Sequence, residues 1–139
     1  MPLDPPRVLL RKADDDRRLA ELAADDPAIS DEQIGFLTQQ AIEKSIKAVL
    51  SARGVHYRRT HDLGELIDLL QAHSITYPAV LDESVILTPF AAEMRYDYLP
   101  PEEESEESFD RASALRLIRA ALGWAENIIL EASDDSATH

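Results

Sequence analysis

The residues best suited to chemistry on a phosphate lie between positions 53 and 61. His56 and His61 are in this segment, and histidine is the side chain whose unperturbed pKa allows acid–base chemistry near neutral pH. Three cations accompany them, Arg53, Arg58 and Arg59. The cluster could hold a phosphate beside His61, or His61 could pack or cap at the start of a helix. The sequence leaves both interpretations open.

The composition excludes several other kinds of site. The chain has no cysteine, so it has no disulfide, thiolate metal ligand or cysteine nucleophile. No glycine-rich phosphate loop, metal-ligand cluster or Ser-His-Asp arrangement stands out in the sequence. We therefore expect neither a metal nor a cofactor.

The charge of the chain is acidic and unevenly distributed. The formal net charge is −13, which opposes binding of nucleic acid over the whole surface. Much of the acidic excess lies between residues 97 and 110, and we interpret about 97–106 as an acidic linker. The linker could mimic nucleic acid or bind a basic partner, although most charge runs are only solvated. Any nucleic-acid contact must therefore be local.

Helices must position these residues. Apolar residues recur at helical spacing, and no segment alternates convincingly with a period of two. The predicted helices span about 7–25, 31–53, 63–73, 78–96 and 107–132. A bend is expected at Thr88-Pro89, because a proline inside a helix loses one hydrogen bond. The sequence predicts an all-α, up-and-down four- to five-helix bundle, with one domain over 1–139 and flexible ends at about 1–6 and 133–139.

The last predicted helix carries two adjoining apolar stripes. The second stripe consists of Leu117, Ala121, Trp124 and Ile128. A single neighbouring helix cannot cover both stripes, so either this helix is central or the second stripe meets another subunit. We expect a homodimer with the second stripe as its candidate interface.

The chain shows no sign of membrane insertion. The N-terminus lacks the positive region and apolar stretch of a signal peptide, and no apolar run approaches the roughly 20 residues needed to span a bilayer. We expect a cytoplasmic protein without a membrane partner.

Three segments together resemble a known family. They are the run from Gln39 to Gly54, the tetrapeptide Thr60-His61-Asp62-Leu63, and the tetrapeptide Glu93-Met94-Arg95-Tyr96. In this order they resemble the HEPN family (higher eukaryotes and prokaryotes nucleotide-binding), and the resemblance covers about residues 33–96. It implies a helical bundle, frequent homodimers, and a small nucleotidyltransferase partner in a two-gene, toxin–antitoxin-like system.

Many members of that family are ribonucleases that carry an arginine followed by four to six residues and a histidine. After Arg95 the corresponding positions hold Pro100, Pro101 and Glu102, and no other arginine of the chain has a histidine at that spacing. The sequence therefore predicts no catalytic residue and no appreciable RNA cleavage.

Four residues are candidate ligand contacts under this resemblance: Lys44, Lys47, His61 and Arg95. The two lysines could contact a nucleotide phosphate, or they could form an ordinary solvated helix face in which Lys47 pairs with Glu43 in water. Arg95 could bind a phosphate through its planar donors or pair with a neighbouring carboxylate.

Two tyrosines follow Arg95 and precede the acidic linker. Tyr96 and Tyr98 present phenolic hydroxyls that a partner nucleotidyltransferase could modify, or they could be core or interface residues.

Three functions are compatible with the sequence. The first is a nucleotide- or RNA-binding module that acts with a nucleotidyltransferase and lacks the ribonuclease motif. The second is an active, metal-independent ribonuclease toxin that uses Arg95 with His61. The third is a purely structural interaction bundle.

Overall fold

The fold consists of helices throughout the part of the chain that is described. The computed structural model describes the backbone of residues 4–87 and 110–138, and the side chains of residues 4–85 and 110–131. It contains α1 (Pro5–Ala24), α2 (Asp31–Ala52), α3 (Leu63–Ala72), a 3₁₀ segment (Ala79–Leu87) and α4 (Arg111–Thr138). No strand occurs within these ranges. The prediction of an all-α helical bundle is confirmed.

Helix α2 is the centre of the bundle. It contacts α1, α3, α4 and the 3₁₀ segment. Many of its apolar side chains are fully buried, among them Ile42, Ile46, Val49 and Leu50. Its wide apolar face needs several neighbours to cover it. Burial of apolar surface stabilises the folded state by about 25 cal/mol per Å². Packing around α2 therefore provides the main hydrophobic stabilisation of the fold.

Helix α1 packs closely on the bundle through small residues, since Ala13, Ala20 and Ala23 are its buried positions. Polar contacts fix it at its edge. The Glu21 carboxylate accepts hydrogen bonds from Arg119 on α4 and from Arg17 on α1. The bond from Arg119 is the largest cause that lowers the pKa of Glu21, partial burial opposes it, and Arg17 lowers the pKa further. Glu21 therefore favours its ionised form while joining α1 to α4.

The turn between α1 and α2 is held by one guanidinium from the start of α4. Arg111 forms an ion pair with Asp31 at 2.8 Å. It also donates hydrogen bonds to four backbone carbonyl oxygens, those of Ala23, Ala24, Asp26 and Ile29. Carbonyls at the C-terminus of a helix have no partner within the helix, so Arg111 satisfies groups that would otherwise depend on water. Three helix ends thereby meet at one side chain.

Two predicted helices differ from the structure. The predicted helix at 78–96 is a 3₁₀ segment in its described part: Leu81 N donates to Pro78 O, and the Ser84 hydroxyl donates to Leu81 O. Such local bonds compete with the α-helical pattern. The expected bend at Thr88-Pro89 lies outside the described residues.

The last helix begins later than predicted and continues further. It starts at Arg111 rather than near position 107, because the Asp110 side chain accepts hydrogen bonds from Ala112 N and the Ser113 hydroxyl. The bond from Ser113 is the largest cause that lowers the pKa of Asp110. The helix continues to Thr138, beyond the expected end near 132.

The second apolar stripe of α4 faces the chain's own core. Leu117 and Ala121 are buried in the main hydrophobic cluster, and Trp124 and Ile128 pack against that cluster. The Trp124 indole also donates a hydrogen bond to Thr76 O at 2.8 Å. The stripe therefore packs largely against the chain itself, with Trp124 and Ile128 left partly exposed. The homodimer and its candidate interface both stay predictions.

No helix in the described ranges is both long enough and apolar enough to cross a membrane.

Two helices end in the same motif but with different residues in the left-handed position. After α2, Gly54 has φ +69°, and Val55 N donates to Leu50 O. After α3, Ser74 has φ +56°, and Ile75 N donates to Leu70 O. Glycine adopts this conformation without strain, whereas a residue with a Cβ pays about 1–2 kcal/mol. Ser74 is therefore a strained position.

We predict opposite effects of substitution at these two positions. Ser74→Gly should raise the free energy of unfolding by about 0.5 kcal/mol, because relief of strain exceeds the added flexibility of the unfolded chain. Gly54→Ala should lower it by about 1 kcal/mol, since an added Cβ meets no atom within 4 Å and only the backbone is strained. Urea unfolding measures both. A stabilising Gly54→Ala variant would contradict the interpretation.

Candidate functional site

The candidate site lies where the chain returns from the end of α2 to the start of α3. Glycine at position 54 ends α2, and the Asp62 side chain caps α3 by accepting hydrogen bonds from Gly64 N and Glu65 N. The connecting segment therefore runs back along α2. It places His61 beside the face of α2 that carries Gln39, Glu43 and Lys47. We call these four residues the His61 site.

A buried carboxylate is at the centre of the His61 site. The Glu43 side chain is only 4% exposed. Its Oε1 lies 2.9 Å from His61 Nδ1 and accepts a hydrogen bond from Gln39 Nε2, also at 2.9 Å. Its Oε2 accepts from Lys47 Nζ at 3.1 Å. A charged group can be buried only with such compensation, so the site supplies each oxygen of Glu43 with a donor.

The backbone of His61 is attached to α2 as well. Gln39 is fully buried, and its Nε2 also donates to the carbonyl oxygen of His61 at 3.1 Å. Gln40 Nε2 in turn donates to Gln39 Oε1 at 2.8 Å, which fixes the orientation of the Gln39 amide. His61 is thus held through both its ring and its main chain.

The geometry selects one form of the His61 ring. An ionised carboxylate can only accept, so Nδ1 must carry the hydrogen that it donates to Glu43. In the neutral imidazole the other nitrogen, Nε2, is then an acceptor. Half of the His61 side chain is exposed, at 50%. The site therefore presents an oriented imidazole to solvent.

The structure corrects the expectation for Glu43 and Lys47, which were predicted to pair in water. Their ion pair is largely buried, with the two side chains 4% and 12% exposed. The Lys47 ammonium also lies 5.6 Å from the centroid of the Tyr57 ring, within the range of a cation–π interaction. The segment that follows α2 covers this face of the helix. Lys47 is therefore bound to the interior of the site.

Lys44, the other predicted lysine, joins two helices. Its Nζ forms an ion pair with Asp16 on α1 at 2.6 Å, and both side chains are mostly buried. The charge of Lys44 is therefore already balanced by a carboxylate, which would repel a phosphate at the same place. The structure therefore does not bring Lys44 and Lys47 together with His61 as three free contacts.

The arginines of the connecting segment are on the surface. Arg58 pairs with Glu65, and this bond is the largest cause that lowers the pKa of the Glu65 carboxyl. Arg53 and Arg59 are exposed and form no ion pair with a residue that the structure describes. Arg59 is thus the available cation closest in sequence to His61.

Three predicted residues, Arg95, Tyr96 and Tyr98, and the acidic linker at 97–106 lie outside the described residues.

Sequence reasoning missed the structural role of Gln39 and Glu43. They are four residues apart on one face of α2, a spacing that places them together on a helix. The same spacing is common on solvated faces, so it did not reveal that the next segment buries both residues. The sequence contained one weak signal for this burial. Two polar residues share a face of α2, and the glycine that ends α2 allows the chain to turn back along that face.

A family model identifies the fold of this chain. Residues 6–128 match the model of the HEPN domain. The match includes all but the first residue of α1, all of α2 and α3, most of α4, and every residue of the His61 site. The comparisons with curated proteins and with solved structures gave no match.

We predict that the buried Glu43 carboxylate contributes to the stability of the fold. Glu43→Ala should lower the free energy of unfolding by about 3 kcal/mol, because it leaves the Lys47 charge nearly buried without its partner. Thermal unfolding measures this loss. The double variant Glu43→Ala, Lys47→Met should recover part of it, since no uncompensated charge remains. An unchanged stability in Glu43→Ala would contradict the proposed role of the buried carboxylate.

Proposed function

The chain belongs to the HEPN domain family, and we propose that it binds a nucleotide or RNA at the His61 site. The observation that carries this proposal is the hydrogen bond between buried Glu43 and half-exposed His61. A carboxylate that orients a histidine from behind is typical of sites where the other ring nitrogen meets a ligand. A histidine that only capped a helix would not need such support, and Asp62 already caps α3.

The chemistry of the oriented ring favours a ribose as its contact. When its ring is neutral, His61 has an acceptor at Nε2, and the 2′-hydroxyl of ribose is a donor that DNA lacks. Arg59, two positions before His61, supplies a cation for the adjacent phosphate. We infer that the site prefers RNA or a ribonucleotide to its deoxy counterpart.

The local charges at the site agree with binding of an anion. The whole chain carries −13, which repels nucleic acid at long range. At the His61 site the negative charge of Glu43 is balanced by Lys47 within the protein, and Arg59 is an exposed cation two positions away in sequence. Lys47 thereby contributes indirectly, by neutralising Glu43. Arg95 stays a candidate contact of the same ligand.

The proposal extends to the cellular partners of the chain. By resemblance to its family, the protein acts as a homodimer with a small nucleotidyltransferase, in a two-gene, toxin–antitoxin-like system. Tyr96 or Tyr98 is then the proposed site of modification, because each offers a hydroxyl beside Arg95. This part of the proposal rests on the resemblance alone.

The same observation favours a second candidate function, metal-independent cleavage of RNA. His61 Nε2 could take the proton of a 2′-hydroxyl, whose oxygen would attack the adjacent phosphorus. The bond to the 5′-oxygen of the next nucleotide would break, and that oxygen would take a proton from a general acid. The products would be a 2′,3′-cyclic phosphate and a free 5′-hydroxyl. The missing arginine–histidine motif makes the binding function our first choice.

We predict that an RNA oligonucleotide binds more tightly than DNA of the same sequence, and that His61→Ala removes the difference. Arg59→Gln should weaken RNA binding and reduce the salt slope by about one, because one phosphate contact is lost. Fluorescence anisotropy at several salt concentrations measures both effects. Arg11→Gln removes an exposed charge from α1 and is the matched control.

Two outcomes would decide against this function. Equal RNA affinity and salt slope in wild type, His61→Ala and Arg59→Gln would show that the His61 site does not bind RNA. Cleavage to a 2′,3′-cyclic phosphate that disappears in His61→Ala would establish the ribonuclease instead.

A further inference from the structure

A cavity that is open to solvent lies at the end of α2. It lies between α4 and the residues that follow α3, and its volume is about 590 Å³. Its polar and aromatic lining includes Arg53, Ser74, Thr76, Trp124 and Asn127. It shares no lining residue with the His61 site. Its size is within the range of roughly 300–1,000 Å³ that is common for small-molecule sites.

One wall of the cavity is a fixed aromatic ring. Trp124 is partly buried against the main hydrophobic cluster, and its Nε1 donates to Thr76 O at 2.8 Å. This bond holds the indole in one orientation. It uses the ring N–H and a backbone carbonyl oxygen, and stacking of a ligand on the ring requires neither of them. Because the indole is already ordered, a flat ring could stack on it at little cost in conformational entropy.

Arg53 also lines the cavity, and it has no acidic partner among the residues that the structure describes. The backbone of Arg53 is fixed at the end of α2 by a hydrogen bond from its N–H to Val49 O. Its guanidinium is exposed and forms no ion pair, even though Glu131 lines the same cavity. A planar guanidinium of this kind binds phosphate or carboxylate through two parallel hydrogen bonds.

Three further residues of the lining restrict what the cavity can bind. Ser74 lines the cavity, and a serine hydroxyl can both donate and accept a hydrogen bond. The Asn127 amide offers both a donor and an acceptor to the edge of a ring. Glu131 places a negative charge at the same cavity, so a ligand with several anionic groups would be repelled there.

We propose that this cavity binds a small molecule with one flat aromatic ring system and one anionic group. The ring stacks on Trp124, the anionic group pairs with Arg53, and Asn127 contacts the edge of the ring. A nucleoside monophosphate and an aromatic carboxylate share this chemistry. The site is independent of the proposed RNA contact, because the two sites share no residue.

Trp124 allows a direct test, because it is the only tryptophan of the chain. Its indole N–H gives one signal in a nitrogen-correlated NMR spectrum, and that N–H lies at the cavity. The protein would be titrated separately with adenosine monophosphate, indole-3-acetate, uncharged adenosine and inorganic phosphate. We expect a saturable shift of the indole signal with one or both aromatic anions, and a much weaker response to adenosine and to phosphate.

Variants test the assignment of the contacts. Arg53→Gln should weaken binding of the aromatic anion by about tenfold, the effect of losing one charge-assisted interaction. Arg11→Gln removes a charge elsewhere and should leave the dissociation constant unchanged. Comparing adenosine monophosphate with indole-3-acetate identifies which of the two sources the cavity prefers.

Three results would overturn the proposal. They are no saturable shift with either aromatic anion, an equal response to inorganic phosphate, and an unchanged dissociation constant in Arg53→Gln. The indole signal of Arg53→Gln also reports on folding, since an unshifted free-state signal shows that the Trp124–Thr76 bond is intact. Failure here leaves the RNA proposal unaffected, because that proposal is tested at His61 and Arg59.

Discussion

The buried carboxylate of Glu43 is the constraint on which the described site depends. A charge at 4% exposure requires donors, and α2 itself supplies two of them, from Gln39 and Lys47. The third must come from another part of the chain, and it is His61. The segment after α2 therefore has to return along this face, and its return sets where α3 begins. The need of buried Glu43 for hydrogen-bond donors thus connects α2 to the start of α3.

The same arrangement separates structural charges from charges that are available to a ligand. Lys47 and Lys44 carry the charge expected of phosphate contacts, yet each has an acidic partner, Glu43 and Asp16 respectively. Arg59 and Arg53 have no such partner among the described residues. In a chain with a net charge of −13, such exposed arginines are places where an anion can be attracted locally. They lie at two different sites, which is why two ligands of different chemistry are proposed.

Much of the fold could be predicted from the sequence because helical periodicity and helix ends are local signals. Ser30 caps α2 and Gly54 ends it, as their residue types indicate. The site was less predictable, since Glu43 has the spacing of a solvated residue and only the path of a distant segment buries it. Helix α4 shows the same limit: Trp124 lies on an apolar stripe that fits either a subunit interface or the core. Periodicity defines a face of a helix, but the tertiary neighbours determine what covers it.

The protonation of the His61 ring tests the central claim most directly. Nitrogen NMR of the imidazoles, with His61→Gln used to assign the signal, reports which ring nitrogen carries the hydrogen when the ring is neutral. We predict hydrogen on Nδ1 and an unprotonated Nε2, because the Glu43 carboxylate accepts from Nδ1. In Glu43→Gln this preference should weaken. A wild-type His61 that carries its hydrogen on Nε2 would contradict the account, because Glu43 would then not orient the ring toward a ligand.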